Sequence, residues 1–249
     1  MRHGAFAMFD ALGFKGIWAR AQKVDPPWDV LGKLERLVTE ADDVRGAIEE
    51  GVASIEQSGE LHNAQVRTLF LSDTIMVGAW ADDPTGMAPG NPEWATLTAV
   101  AHIAASVLSR AANAPDPRFA YRGCISVGEF DIRGPFVVGP AVDEAAELAN
   151  SAEAALVWLA PSAKRVIDAT VRREELDVLR PWQVPLKGGQ RYSTYVVSPY
   201  SGVSQESWDD LRLAIRLALA SPQFDVQIKA QNTSEFLDNE LTRLRTKVP

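Results

Sequence analysis

Cysteine is almost missing from this chain of 249 residues, which carries one, Cys124. A single thiol excludes an intramolecular disulfide framework and a cysteine-built zinc site, and it fits a reducing setting. Cys124 lies in an apolar, strand-like stretch with no histidine close in sequence. It reads as a small buried hydrophobe rather than a nucleophile. Histidine is scarce too: His3, His62 and His102 are scattered, and His102 falls inside an apolar helical pattern as packing residues do. Lys/Arg-rich runs, low-complexity blocks and internal repeats are all absent. The net charge of −8 speaks against a non-specific nucleic-acid surface or an anionic-membrane surface. A polyanionic ligand would have to be met by metal ions or by a few placed cations. No signal-peptide pattern starts at Met1, and no uninterrupted apolar run reaches about 18 residues. The sequence therefore predicts a cytoplasmic protein with no membrane span.

What is present is the mix of a globular domain. Hydrophobic residues make up 46% and charged ones 23%, enough for one large domain or a domain with an appendage. An apolar run from Ala5 to Phe9 reads as a buried strand ending on a carboxylate, Asp10. Gly13 follows three residues later, and a short helix continues through Gly16–Ala21. A carboxylate at a strand end beside a glycine turn can hold a metal ion next to phosphate. The plainer alternative is an N-cap for the following helix.

Asp25-Pro26-Pro27 stops that helix, and a long one with apolar spacings of three and four runs from Val30 to near Ser58. Ala64–Trp80 reads as two strands joined at Ser72-Asp73-Thr74, a hairpin with an acid at its tip. Asn91-Pro92-Glu93 is a helix start, and that helix stops before Pro115. Strands follow over Phe119–Phe130 and around Phe136–Val138, then a helix from Gly139-Pro140 to Ala149. Ala155–Leu159 is a strand, Pro161–Ala169 a helix, and Pro185–Gly189 a turn into the strand Tyr192–Val197. Beyond Pro199 the pattern is helical only, split near Ser221-Pro222. The predicted order is β-α-α-β-β-α-β-β-α-β-α-β, an α+β fold of residues 1–198 with a helical C-terminal extension over 199–249 packed on it. If the first three strands are neighbours, Asp10 and Asp73 face each other across one sheet end. Two such acids suit a pair of Mg²⁺ or Mn²⁺ ions about 3.5–4 Å apart.

Three stretches resemble one family. Phe9-Asp10-Ala11-Leu12-Gly13-Phe14 is similar to an Asp-Ile-x-Gly-Phe motif, and Ser72-Asp73-Thr74-Ile75-Met76 to a Gly-Asp-x-x-Met motif. Gly139-Pro140-Ala141-Val142 stands where a Gly-Asn-x-Val motif opens a helix. All three belong to class III nucleotidyl cyclases, and the resemblance spans residues 4 to 198, about four fifths of the chain. It implies a ferredoxin-like, palm-type mixed sheet with flanking helices. It also implies that Asp10, Asp73 and the Ala11 carbonyl hold two divalent ions, Mn²⁺ or Mg²⁺. Backbone N–H groups of Leu12, Gly13 and Phe14 would then cradle the β- and γ-phosphates of a nucleoside triphosphate. Arg122, Lys187 in a Lys-Gly-Gly turn, and Lys15 are the candidate cations for the phosphates. Family members build each site across a homodimer interface.

The departures matter equally. Where purine cyclases carry Asn and, four residues on, a transition-state Arg, this chain has Asp143 and Glu147. Phe136 stands seven residues before Asp143, in place of a base-reading Asp. The base-reading Lys before the hairpin acid aligns best with Arg67. The stretch Arg122–Gly128, with Gly139–Ala145 after it, looks like the pyrimidine cyclases of bacterial Pycsar antiphage systems. Those make cyclic UMP or cyclic CMP that switches on a separate effector. The resemblance thus implies conversion of UTP or CTP to the cyclic monophosphate and pyrophosphate, with no nucleic-acid or membrane partner. The alternatives are a purine cyclase with rearranged transition-state residues, or an inactive cyclase-like domain that binds a nucleotide and regulates a partner. A diguanylate cyclase is disfavoured, since no Gly-Gly-Asp/Glu-Glu-Phe turn occurs at the hairpin.

Each candidate also has a plainer reading. Arg122 could pair with an acid, Lys187 could be an ordinary turn lysine, and Lys15 could be solvated. Arg67 could pair with an acid, Tyr121 could be core rather than the wall of a base pocket, and Asp143 and Glu147 could be an exposed helix face.

Overall fold

Side chains alternate across a strand, and that alternation decides which face of the first strand carries its acid. The computed structural model describes residues 1–14, 17–49, 64–81, 92–113, 116–169, 177–220 and 223–247. In β1 (Arg2–Ala11), Ala5, Ala7, Phe9 and Ala11 enter one core, while Phe6 and Met8 join a second core on the opposite face. Asp10 shares the face of Phe6 and Met8. β1 pairs antiparallel with β3 (Thr74–Ala81) on one side and with β4 (Tyr121–Arg133) on the other. A Cβ on Gly123 would lie 2.3 Å from the Met8 carbonyl oxygen, so glycine alone allows β4 to come this close.

The other strands are β2 (Ala64–Leu71), β5 (Phe136–Val138), β6 (Val157–Leu159), β7 (Leu179–Leu186) and β8 (Gln190–Val197). The eight form one mixed sheet in the order β2-β3-β1-β4-β6-β8-β7, with β5 paired to β4 and only β4–β6 parallel. β7 is the element that the sequence does not announce, because Pro181 and Pro185 break its pattern. It lies at the sheet edge, where a proline costs no ladder bond if its backbone points outward. The Pro185 carbonyl does point outward, accepting from Glu153 N–H at 2.8 Å.

Helices α1 (Ile17–Ala21), α2 (Val30–Glu49), α3 (Pro92–Ala112), α4 (Pro140–Ala149), α5 (Pro161–Ala169), α6 (Trp208–Ala218) and α7 (Phe224–Lys247) flank the sheet. Any continuation of α2 past Glu49 lies outside the described residues. α3 is long and apolar enough to cross a membrane by length and composition, yet 83% of its apolar window is buried inside the protein. It packs with α2 over the face that holds Ala5, Ala7 and Phe9. α4 covers part of the other face, with Ala141 and Ala145 against Phe6, Met76, Trp80 and Phe130. α6 and α7 bring Leu211, Ile215, Phe236 and Leu237 into a core shared with Cys124, Trp158 and Val196. Burial raises the Cys124 thiol well above its usual pKa and lowers that of His102, as expected of packing residues.

Lys33, on α2, is buried and caps the end of α3. Its Nζ donates to the carbonyl oxygens of Arg110 at 2.9 Å and Asn113 at 2.5 Å. Burial first, then the Arg36 and Arg118 charges, bring its pKa from 10.5 down to about 8, against the pull of Asp116. Between those two values the unfolded chain holds more protons than the folded one, so stability should rise with pH there. The rise is at most about 1.4 kcal/mol per pH unit. Urea unfolding across this range should show the wild type gaining on Lys33→Met as pH climbs. A gap that stays constant would assign Lys33 no titration in the window.

Candidate active site

Asp10 is the last acid-bearing position of β1, and its neighbours across the ladder are Thr74 on β3 and Arg122 on β4. Residues opposite one another in antiparallel strands point to the same face, so the three side chains form one row. Thr74 Oγ1 donates to Asp10 Oδ1 at 3.4 Å. Asp73 sits in the two-residue turn Ser72-Asp73 between β2 and β3, where Ser72 adopts a left-handed φ of 59°. That turn folds back on β1, with Ala11 N–H donating to the Asp73 carbonyl at 3.3 Å. The Asp10 and Asp73 carboxyls are near enough to act on one another. Burial, then the neighbouring Asp73 carboxyl, raise the Asp10 pKa, while Arg122 and Thr74 draw it down. Like charge held in a half-buried place disfavours the ionised form of Asp10.

Arg122 makes no ion pair with either acid among the described residues. Its Nη2 donates instead to Asn150 Oδ1 at 2.5 Å, and its Nε is buried without a partner. The plainer alternative of a salt bridge to an acid is not what is found: the partner is an amide. Tyr121 lies beside this row, 1% exposed, against the edges of Phe9 and Phe119. Its hydroxyl is buried and unpartnered, and burial followed by the Asp73 and Asp10 charges keeps the phenol protonated. Core packing is the reading that fits Tyr121.

The glycine turn differs in detail from the expectation. Leu12 N–H donates to the Ala120 carbonyl at 2.8 Å, so it belongs to the sheet and cannot also hold a phosphate. Gly13 turns with φ 73°, a left-handed value that suits glycine. Arg20 Nη2 bonds the Gly13 carbonyl. Among the described residues the Gly13 and Phe14 N–H groups meet no protein acceptor. α1 begins only at Ile17 and has five residues, so a long helix dipole does not assist them. Lys15 lies outside the described residues.

Arg67 is not brought to the carboxyls within one chain. It pairs with Gly78, which is level with Phe6, four residues before Asp10 along β1; with two strand spacings across the sheet as well, that is about 16 Å away. Lys187 is exposed in the β7–β8 turn, and its N–H donates to the Ser151 carbonyl at 2.9 Å. Asp143 and Glu147 are exposed on α4, and Phe136 is 73% exposed. The residue that sequence reasoning missed is Asn150. Its only signal was its place just after the last turn of α4.

No protein-family profile and no curated protein matches the chain. Among solved structures it is similar to the guanylate cyclase domain of RhGC from Catenaria anguillulae in complex with GTP. That match has 16% identity and a TM-score of 0.49, and covers 79% of this chain and 96% of that one. It is also similar to the adenylyl cyclase CyaB from P. aeruginosa, at 16% identity and a TM-score of 0.47, covering 80% and 95% of the two chains. An adenylate cyclase from Trypanosoma brucei in its monomeric state matches at 12% identity and a TM-score of 0.48, covering 78% and 86%. Likeness at this level assigns no substrate and no residue role.

Proposed function

We propose that this protein is a cytoplasmic nucleotide cyclase that converts a pyrimidine nucleoside triphosphate, UTP ahead of CTP, to the 3′,5′-cyclic monophosphate. The observation that carries the reading is the Asp10–Asp73 carboxyl pair beside Arg122 at one sheet end. One or two carboxylates completed by substrate phosphates is a common way of holding Mg²⁺. Asp10, Asp73 and the Ala11 carbonyl are an all-oxygen donor set of that kind, fit for Mg²⁺ or Mn²⁺. Two such ions, when bound, would neutralise phosphate charge and acidify a ribose hydroxyl.

In the reaction the ribose 3′-oxygen bonds to the α-phosphorus while the bond to the bridging oxygen breaks. Pyrophosphate leaves, and the hydroxyl proton passes to solvent. The chain contributes placement and charge. The Gly13 and Phe14 N–H groups would bind terminal phosphate oxygens, and Arg122 would balance charge on the leaving group. The ladder register keeps Arg67 from the carboxyls in one chain, which favours a homodimer whose second subunit supplies it, and Lys187 would meet the terminal phosphates. The pyrimidine reading rests on Phe136, Asp143 and Glu147, which stand exposed where purine cyclases carry base-reading and transition-state groups. The cyclic product would act on a separate effector in antiphage defence.

Incubating the protein with Mn²⁺ and each of the four nucleoside triphosphates, then separating products by chromatography, tests this. Cyclic UMP or cyclic CMP should dominate. Mainly cyclic AMP or cyclic GMP would replace the pyrimidine reading with a purine one. Tight triphosphate binding without any cyclic product would leave a nucleotide-binding regulator.

A further inference from the structure

Arg122 stands directly opposite Asp10 in the ladder, on the same face. A long flexible guanidinium so placed would ordinarily fold onto the carboxylate and neutralise it. It does not do so here. Asn150 Oδ1 takes the Nη2 hydrogen at 2.5 Å, while Nε stays buried and unpartnered. The amide thus draws the guanidinium sideways, towards the end of α4. Neither carboxyl is taken up in an ion pair with Arg122 among the described residues, and the guanidinium keeps donors beyond the one that Asn150 takes.

Asn150 can do this only if its own backbone is fixed. It is the C-cap of α4, with its N–H on the Leu148 carbonyl, and it opens the loop 150–156. That loop is held from two sides. On the sheet side, Ser151 O accepts from Lys187 N–H at 2.9 Å, and Glu153 N–H donates to Pro185 O at 2.8 Å. On the other side is α7, whose Asn232 Nδ2 donates to Glu153 O at 2.7 Å. Thr233 Oγ1 accepts from Ala155 N–H at 2.8 Å and donates to Lys229 O at 2.6 Å. Thr233 is 1% exposed, so its loss would leave the Ala155 N–H buried without a partner.

We propose that Asn150 is the positioning residue for Arg122, and that α7 braces Asn150 through Asn232 and Thr233. The C-terminal helices thereby belong to the working site rather than to a passive appendage. The proposal rests on the cyclase reading for the role of Arg122, but its geometric core does not.

Arginine side-chain NMR on the full chain separates the two. The Arg122 signal, identified by its loss in Arg122→Lys, should show hindered rotation of the guanidinium in the wild type. That hindrance should vanish in Asn150→Ala and return in Asn150→Asp, which restores the acceptor. Asn150 is exposed, so neither change threatens the fold. Asn232→Ala should weaken the hindrance partially. In turnover assays kcat should fall at least 10-fold in Asn150→Ala with KM within twofold, and Asn150→Asp should recover most of it. An Arg122 signal unchanged by Asn150→Ala overturns the proposal, whatever the activity. The expected signals in a wild-type protein that cyclises no triphosphate support the positioning and refute the cyclase reading instead.

Discussion

Asp73→Asn is expected to lower cyclase turnover at least about 10²-fold while leaving the metal-free fold undamaged. Both halves follow from one cause. In the protein without metal, Asp73 is the charge that, after burial, does most to lift the Asp10 pKa. Removing that charge relieves a repulsion, so the variant should unfold no earlier than wild type, and Asp10 should titrate lower than before. The same removal takes away one of two carboxylates proposed to hold the divalent ions, so Mn²⁺ should raise the melting temperature less. An ordinary structural acid behaves in the opposite way, since its loss lowers stability and leaves chemistry nearly intact. Turnover close to wild type, measured with the preferred triphosphate, would remove Asp73 from the site.

How much of this was legible in the sequence depends on the range of the physics involved. β1 and the β2–β3 hairpin could be read because period-two alternation and a short turn are local signals. The convergence of Asp10 with Asp73 followed once those strands were taken as neighbours. β7 could not be read, because Pro181 and Pro185 look like breakers until the strand is known to be an edge. The Leu12 N–H was expected at a phosphate and is found on Ala120, since sheet pairing across 108 residues of chain decides it. Arg67 aligned well in sequence, yet the ladder register sets it level with Phe6 rather than Asp10. Asn150 is the sharpest instance. Its place just after the last turn of α4 is its one local mark, and its meaning arises only when β4 brings Arg122 to the end of α4.

Glu240→Ala should be the most destabilising single change in the C-terminal helices, by about 3–5 kcal/mol. Glu240 is 2% exposed in its side chain and faces Arg180, itself 10% exposed, at 2.7 Å. Ser198 Oγ adds a hydrogen bond to the same oxygen at 3.0 Å, and Arg243 donates to both carboxylate oxygens at 2.8 and 2.9 Å. Burial alone would raise the Glu240 pKa. The Arg243 hydrogen bond and the Arg180 charge and hydrogen bond outweigh it and hold the carboxyl below its usual 4.5. A folded-state value below the unfolded one means that this stabilisation is complete above pH 4.5 and is lost as pH falls below it. Removing Glu240 takes the most buried counter-charge from the Arg180 guanidinium between β7 and α7, while Asp177 stays at 3.6 Å. For a chain of this size the melting temperature should drop by roughly 10 °C. Glu240→Ala should also lose the acid-side stability slope that wild type shows. Because α7 carries Asn232 and Thr233 about two turns before Glu240, loosening it should disturb Arg122 as well. A large fall in stability with no change in kcat at a temperature where the variant is fully folded would confine the network to holding α7 in place.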